Sequence, residues 1–319
     1  MTNTYVLVQH QAGRIDGVTA ELITAAAPLG DVWAVVTGSP GTAAGMADEL
    51  AALGAVTIVA AESADAASRV VLPEVDALSI LAADNPGPVV VAAGATGNEI
   101  AGRVAARVAS GVLCDVVGIN ADRTANLSVL GDTYQVSAAV GGDSPVYTLR
   151  PGAVDAQPVP AAGDIVELAM PQAGDKDVTV ASFTPAIQQA RPDLAQAKTV
   201  VAGGRGVGSR EGFETLLEPL ADSLGGAVGC TRDAVDEDYY GAAYQIGQTG
   251  VTCSPELYIG FGISGAIQHK AGMQTARTIV CVNNDEDAPL FDIADFGVVG
   301  DLAEIAPKLT AEITRRTGK

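Results

Sequence analysis

"PVVVAAGATGNEIAGRVAARVAS", residues 88–110, decides the fold. Three valines and two alanines follow Pro88 without alternation, the pattern of a strand covered on both faces. Gly94 ends the run. Thr96 or Asn98 stands near the start of the amphipathic helix that follows. A doubly covered strand leading straight into a helix is half of a parallel crossover unit.

The same unit recurs upstream. "TYVLVQ" (4–9), "VWAVVTG" (32–38) and "AVTIVAA" (55–61) read as strands. "DGVTAELITAAAPLG" (16–30), "GTAAGMADELAALG" (41–54) and "EVDALSILAADN" (74–85) read as helices between them. Downstream the character changes. Strands with few helices are expected from "VLCDVVGI" (112–119) through "VYTLRPGAV" (146–154) to "DVTVASFTPA" (177–186), with "PGAVDAQPVPAAGD" (151–164) as a surface loop. Pro192 interrupts a polar junction, and alternation resumes at Thr199. Strands are expected at "TVVAGG", "AVGCT", "LYIGFG", "TIVCVNN" and "FGVVGD". Helices are expected at "REGFETLLEPLADSLG", from "SGAIQHKAGM" and at "LAEIAPKLTAEITRRTG". The expectation is an α/β protein of two doubly wound, mostly parallel-sheet (Rossmann-like) domains, 1–190 and 191–319.

Composition narrows the function classes. Of 319 residues, 48% are apolar, ample for two cores, and the net charge is −20 from 38 acidic and 18 basic side chains. So acidic a chain is repelled by nucleic-acid backbones and anionic membranes. No apolar run reaches about 18 residues, so no membrane span is expected. The N-terminus lacks the pattern of a secretory signal. Cys114, Cys230, Cys253 and Cys281 are widely spaced, as reduced and mostly buried thiols would be rather than a disulfide framework or a zinc site.

The polar residues of the second half fall where strands end, which is where open parallel sheets bind ligands. "AGGRGVGS" (202–209) follows a strand and precedes a helix but lacks the GxGxxG spacing. It is either a tight turn or an anion site with Arg205 as partner. Arg232, after Thr231, either pairs with Asp233 or Asp236 or lays its planar guanidinium on a ring. "YQIGQTG" (244–250) has no period and groups Gln248 and Thr249 with two glycines, as a polar turn or a ligand loop would. In "ISGAIQHKAGM" (263–273), Ser264 suits an N-cap and Gly265 permits close backbone approach. His269 is either a packed structural histidine or a donor beside bound negative charge; a metal role is disfavoured because His10 lies in the other domain. Asn283, Asn284, Asp285 and Asp301 either cap helices or meet a ribose or adenine.

"LYIGFGISGAIQHKAGM", "IVCVNND" and "APLFDIADFGVVGDL" strongly resemble the signature of the electron transfer flavoprotein alpha subunit family. The likeness runs upstream through "RPDLAQAKTVVAGGRGVGS", "TRDAVD" and "YQIGQTG" and into "AGATGNEIAGRVAARVASGVLCDVVGI". The resemblance implies FAD in the C-terminal domain, with the N-terminal domain as scaffold and partner surface. It implies a heterodimer with a beta subunit, without substrate turnover of its own, and the reduced, widely spaced cysteines make the expected location cytoplasmic. This carrier takes electrons from dehydrogenases, typically acyl-CoA dehydrogenases, and passes them singly to the membrane's ETF-quinone oxidoreductase; neither nucleic-acid binding nor direct membrane insertion is implied.

By the same resemblance, Arg205, Thr231, Ser264 and Gln268 hold the pyrophosphate, and Arg232 lies over the isoalloxazine. Gln248 and Thr249 meet its polar edge, with Thr249 near N5. His269 faces the O2 side, stabilising the negative charge that reduction places there, at ~1–4 kcal/mol for a nearby unit charge. Asn283 and Asp301 contact the adenosine end. Gln245, Ile246, Gly247, Gly265, Ala266, Ile267 and Leu302 complete the set. Alternatives left open are an electron-bifurcating or nitrogen-fixation-type paralogue and a dinucleotide-dependent oxidoreductase.

Overall fold

A computed structural model of the chain describes residues 2–11, 13–130, 133–175, 177–182 and 191–318. They fall into two compact units, Met1–Pro185 and Ala186–Lys319.

The first unit begins with β1 (Asn3–Leu7), the short strands β2 (His10–Gln11) and β3 (Arg14–Ile15), and α1 (Val18–Ala26). β4 (Asp31–Gly38), α2 (Thr42–Leu53), β5 (Thr57–Glu62), α3 (Leu72–Asp84), β6 (Val89–Ala92) and α4 (Ala95–Arg107) follow in alternation. Then come β7 (Val112–Ile119), β8 (Ala125–Val129), β9 (Tyr134–Ala138), β10 (Val146–Leu149) and β11 (Asp164–Glu167). Among the described residues they form one sheet in the order β11-β5-β4-β1-β6-β10-β7-β8-β9, with β2 and β3 paired apart from it. The run from β11 to β7 is parallel, and β8 and β9 extend it antiparallel. Both faces are covered. Val6 and Val8 enter one core, Tyr5 and Leu7 the other. This is why "TYVLV" is apolar at every position instead of every second one.

The middle of the chain departs from expectation in one place. Residues 177–182 form no strand, and the remainder of "DVTVASFTPA" lies outside the described residues. Thr179 makes a single bridge to Arg69. Besides two backbone hydrogen bonds to residues 68–70, charge holds the segment: the buried Arg69 guanidinium spans Asp76 at 2.7 Å and Asp177 at 2.8 Å. Residues 151–163 form neither helix nor strand and lie along α1 and α2, Gly152 donating to Glu21 and Gln157 to Thr24.

The second unit contains β12 (Thr199–Gly203), α5 (Arg210–Gly212), a wider π turn over Phe213–Leu217, and α6 (Glu218–Leu224). β13 (Ala227–Cys230), α7 (Arg232–Asp236), β14 (Leu257–Phe261), α8 (Ile267–Lys270), β15 (Ile279–Asn283), β16 (Phe296–Val299) and α9 (Leu302–Thr317) complete it. The π turn stands just before Pro219, whose ring and missing N–H forbid the regular ladder there. Among the described residues its five strands are parallel, in the order β13-β12-β14-β15-β16. Numbered from the first, that order is 2-1-3-4-5, so the chain reverses direction across the sheet between β12 and β14. Connections leave to opposite sides at that switch point and open a crevice beyond the strands' carboxyl ends.

Candidate functional site

A cavity of about 460 Å³ opens at this crevice, within the range usual for ligand sites. Its walls are the loops after β12 (Gly204–Gly206), β13 (Thr231–Asp233), β14 (Gly262–Ala266) and β15 (Asn283–Asp285), with Gln245–Thr249 and the side of α8. Of the residues expected from sequence, all but Ile267, Asp301 and Leu302 line it.

The glycines of the first two loops are explained by loop packing. A Cβ on Gly204 would collide with the Gly262 carbonyl oxygen, and one on Gly206 would lie 2.8 Å from the Gly262 Cα. The Gly204 amide donates to the Phe261 carbonyl at 2.9 Å and the Gly206 amide to the Gly262 carbonyl at 3.1 Å. These amides, read from sequence as a possible phosphate cradle, are spent joining two loops backbone to backbone. Arg205 stays exposed between them and supplies the positive charge of this wall.

Thr231 ends β13 and caps α7, its Oγ1 accepting from the Ala234 amide at 3.4 Å. The residue is 9% exposed and lines the cavity, so its remaining hydroxyl hydrogen is available there. Arg232 opens α7 with an exposed side chain and makes a long ion pair of 3.5 Å with Asp236. Arg232 is thus a surface arginine with an acidic neighbour that also borders the cavity.

The loop 245–251 is closed on itself and tied to α8. Val251 donates to the Gln245 carbonyl at 2.7 Å, and Gly247 donates to Val251 at 3.2 Å. The Gln248 amide reaches the Gln268 carbonyl at 3.0 Å. Gln245 Nε2 donates to Thr249 Oγ1 at 2.9 Å, which leaves the Thr249 hydroxyl hydrogen to be given outward.

Ser264 does not cap α8. Gly262 (φ 61°) and Gly265 (φ 93°) turn the chain twice, so the helix starts later, with Ala266 at the N-cap position and no side-chain cap. The Ser264 carbonyl accepts instead from Leu290 at 3.0 Å. A Cβ on Gly265 would strike the Leu290 backbone, so only glycine fits. The first amides of α8 have no intrahelical partner, as at any helix start.

His269 lines the cavity with a buried ring. It is 5% exposed. Nδ1 lies 3.1 Å from the Ile246 carbonyl and Nε2 lies 2.7 Å from the Tyr258 hydroxyl. A carbonyl only accepts, so Nδ1 carries the hydrogen, and Nε2 accepts from Tyr258. Burial pushes its pKa down to about 4, against a smaller upward pull from the Ile246 carbonyl. The ring is neutral near pH 7 and both nitrogens are engaged, so it offers no N–H to a ligand. Of the two readings of this residue, the structure shows the packed histidine, and the ring lines the cavity all the same.

Two further residues make contacts within the protein. Asn283 lines the cavity, but its amide donates to the Ile263 carbonyl at 3.0 Å and its oxygen accepts from the Asp285 amide at 3.1 Å, so it braces two loops. Asp301 caps α9 through the Ala303 amide at 2.8 Å. Leu302 reaches the site only as packing behind Gly262, and Ile267 points outward, 73% exposed. Asp233 and Ile263, unassigned from sequence, join the wall because they follow Arg232 and Gly262 directly.

Cys230, Cys253 and Cys281 are buried and Cys114 is exposed. Burial raises the first three thiols to about 12, 12 and 11, which leaves them unreactive near neutrality. Among the described residues no group of side chains could hold a metal ion, and no helix is long and apolar enough to cross a membrane.

Comparison with known proteins agrees with this architecture. Residues 4–186 match the electron transfer flavoprotein domain, and residues 193–274 match the electron transfer flavoprotein FAD-binding domain. The electron transfer flavoprotein subunit alpha of Mycobacterium leprae (strain TN) is 51% identical over 319 residues, covering 100% of both chains. That of Paracoccus denitrificans is 39% identical, covering 92% of this chain and 94% of its own. The probable mitochondrial alpha subunit of Cryptococcus neoformans var. grubii is 34% identical, covering 98% and 92%. The chain belongs to the electron transfer flavoprotein alpha subunit family, and its second unit carries that family's FAD-binding domain.

Proposed function

We propose that the cavity at the β12/β14 switch point holds FAD and that the chain, paired with a beta subunit, carries electrons from dehydrogenases such as acyl-CoA dehydrogenases to a quinone oxidoreductase. The observation that carries this reading is the donor set of the cavity. Two guanidinium groups, Arg205 and Arg232, and two hydroxyls whose oxygens already accept from the protein, Thr231 and Thr249, converge on one crevice. A dinucleotide with a charged pyrophosphate and a polar ring system is complementary to such a set.

FAD, when bound, supplies reversible one- and two-electron exchange. The chain's residues bind, orient and polarise. Arg205, Thr231, Gln268 and the uncommitted amides at the start of α8 hold the pyrophosphate. Arg232, Gln248 and Thr249 hold the ring system. The loop after β15 flanks the adenosine end. Gln245 fixes the Thr249 oxygen, so the Thr249 hydrogen is directed before the ligand arrives, and no reorganisation is needed at electron transfer. The first unit serves as scaffold and partner surface, and the chain turns over no substrate of its own. A nicotinamide-dependent oxidoreductase is disfavoured because Gly204 and Gly206 are committed to packing against the Gly262 loop rather than to a dinucleotide fingerprint.

The test is co-expression with the beta subunit. A yellow heterodimer that an acyl-CoA dehydrogenase reduces and a quinone oxidoreductase reoxidises supports the proposal. A colourless complex, or a flavoprotein that oxidises substrate unaided, refutes it.

A further inference from the structure

We infer that Tyr258 is a positioning residue of this site: its hydroxyl engages Nε2 of the neutral His269 ring while the Ile246 carbonyl holds the Nδ1–H, and the ring pinned at both nitrogens is a strut that fixes the Gln245–Thr249 loop against α8. The inference rests on the FAD reading of the cavity and adds to it how the polar wall is held in place.

Tyr258 lies within β14 and is fully buried. A buried tyrosine hydroxyl needs a partner, and here the partner is His269 Nε2 at 2.7 Å. The far side of the ring donates to the Ile246 carbonyl at 3.1 Å. Ile246 is itself tied to the end of β13, its amide donating to Cys230 at 2.9 Å. Its neighbour Gly247 has its Cα face against the Gln268 carbonyl, where a Cβ would come within 2.7 Å. One hydrogen-bonded line thus runs from β14 through the α8 histidine to the loop that presents Gln248 and Thr249. If the ring turned over, the Ile246 carbonyl would lose its donor and the loop its anchor; a proton gained at Nε2 would turn the Tyr258 hydroxyl from donor to acceptor.

Titratable groups on every packed element leave the neutral ring undisturbed. Tyr258 is held protonated by its burial. Cys230 on β13, Cys253 before β14 and Cys281 on β15 have thiols raised by burial to about 12, 12 and 11. Lys270 follows His269 on α8, and Arg205, Arg232, Asp233 and Asp285 stand on the cavity's other walls.

The test uses the αβ complex labelled with 15N-histidine, read by long-range proton–nitrogen correlation with and without FAD. The expected result is a protonated Nδ1 and a lone-pair-bearing Nε2, unchanged from about pH 5.5 to 8. An Nε2-protonated or doubly protonated ring in that interval overturns the inference. In Tyr258→Phe the Nε2 resonance should move to that of an unbonded imine nitrogen, His269 should begin to titrate at higher pH, and the FAD dissociation constant should rise about five- to tenfold, the equivalent of one lost hydrogen bond. An unchanged Nε2 resonance and titration in folded Tyr258→Phe overturns it. If Tyr258→Phe does not fold, 3-fluorotyrosine incorporation replaces it. Its more acidic hydroxyl must shift Nε2 toward a stronger hydrogen bond, and no shift overturns the inference. The expected tautomer in a complex that takes no FAD supports the strut and sinks only the cofactor reading.

Discussion

Acidification from pH 8 to pH 5 should destabilise the second unit through one residue. His269 is neutral in the fold with a pKa of about 4, against roughly 6.5 in an unfolded chain. Between these values the unfolded state binds the extra proton, so stability rises with pH there and falls on acidification. The stabilisation is complete above pH 6.5 and is lost as pH falls toward 4. Working the two binding curves gives a loss of about 2 kcal/mol at pH 5 and about 3 kcal/mol near pH 4. The ring is 5% exposed, so solvent screening does not reduce this much. The assay is urea unfolding of the full chain at both pH values, followed by far-UV circular dichroism and fitted to two transitions, since each unit has its own cores. Trp33, the single tryptophan, sits in the first unit, so its fluorescence reports that unit alone and serves as the internal control. In His269→Gln the pH-dependent part should vanish from the second-unit transition, whatever the variant's absolute stability. Equal pH slopes in wild type and His269→Gln would refute the reasoning and return the imidazole to an ordinary, water-accessible setting.

Other outcomes follow from the same geometry. Arg232→Ala should lower the potential of bound FAD by about 40 mV, the effect of one unit charge in water-like surroundings, and Arg232→Lys should recover only part of it; equal potentials would make Arg232 a surface residue. Gly204→Ala should cost about 1–3 kcal/mol and release FAD, because its methyl meets the Gly262 carbonyl; thermal melts and flavin content measure both. Thr249→Val should weaken FAD binding about five- to tenfold at nearly constant volume, as read by fluorescence titration. Asp301→Ala should lose about 1 kcal/mol of stability as a missing N-cap with FAD affinity unchanged, and weakened FAD binding would restore Asp301 to the site.

The alternating order of strands and helices was legible because parallel strands buried on both faces are apolar at every position, as Val200 and Ala202 against one core and Val201 against the other illustrate. The location of the site was legible too, since polar residues after β12, β13, β14 and β15 interrupt otherwise apolar runs. Pairings between distant segments were not. Gly204 and Gly262 are far apart in sequence, and nothing local says that each is small because of the other. Tyr258 reads as one more core residue of "LYIGF", so the hydrogen-bond partner of His269 was hidden inside a strand. Asn283 read as a ligand contact because the amide in "CVNND" gives no sign that its two ends are taken by Ile263 and Asp285. Ser264 read as a cap because serine suits that position, whereas two left-handed glycines delay the helix.

Hydrogen exchange on the αβ complex, with and without FAD, tests the central claim most directly. The account predicts one FAD per heterodimer and FAD-dependent protection in this chain confined to peptides covering residues 203–206, 231–233, 245–249, 262–269 and 283–285. Protection in residues 2–182 instead, or none in this chain while FAD is bound, would contradict it.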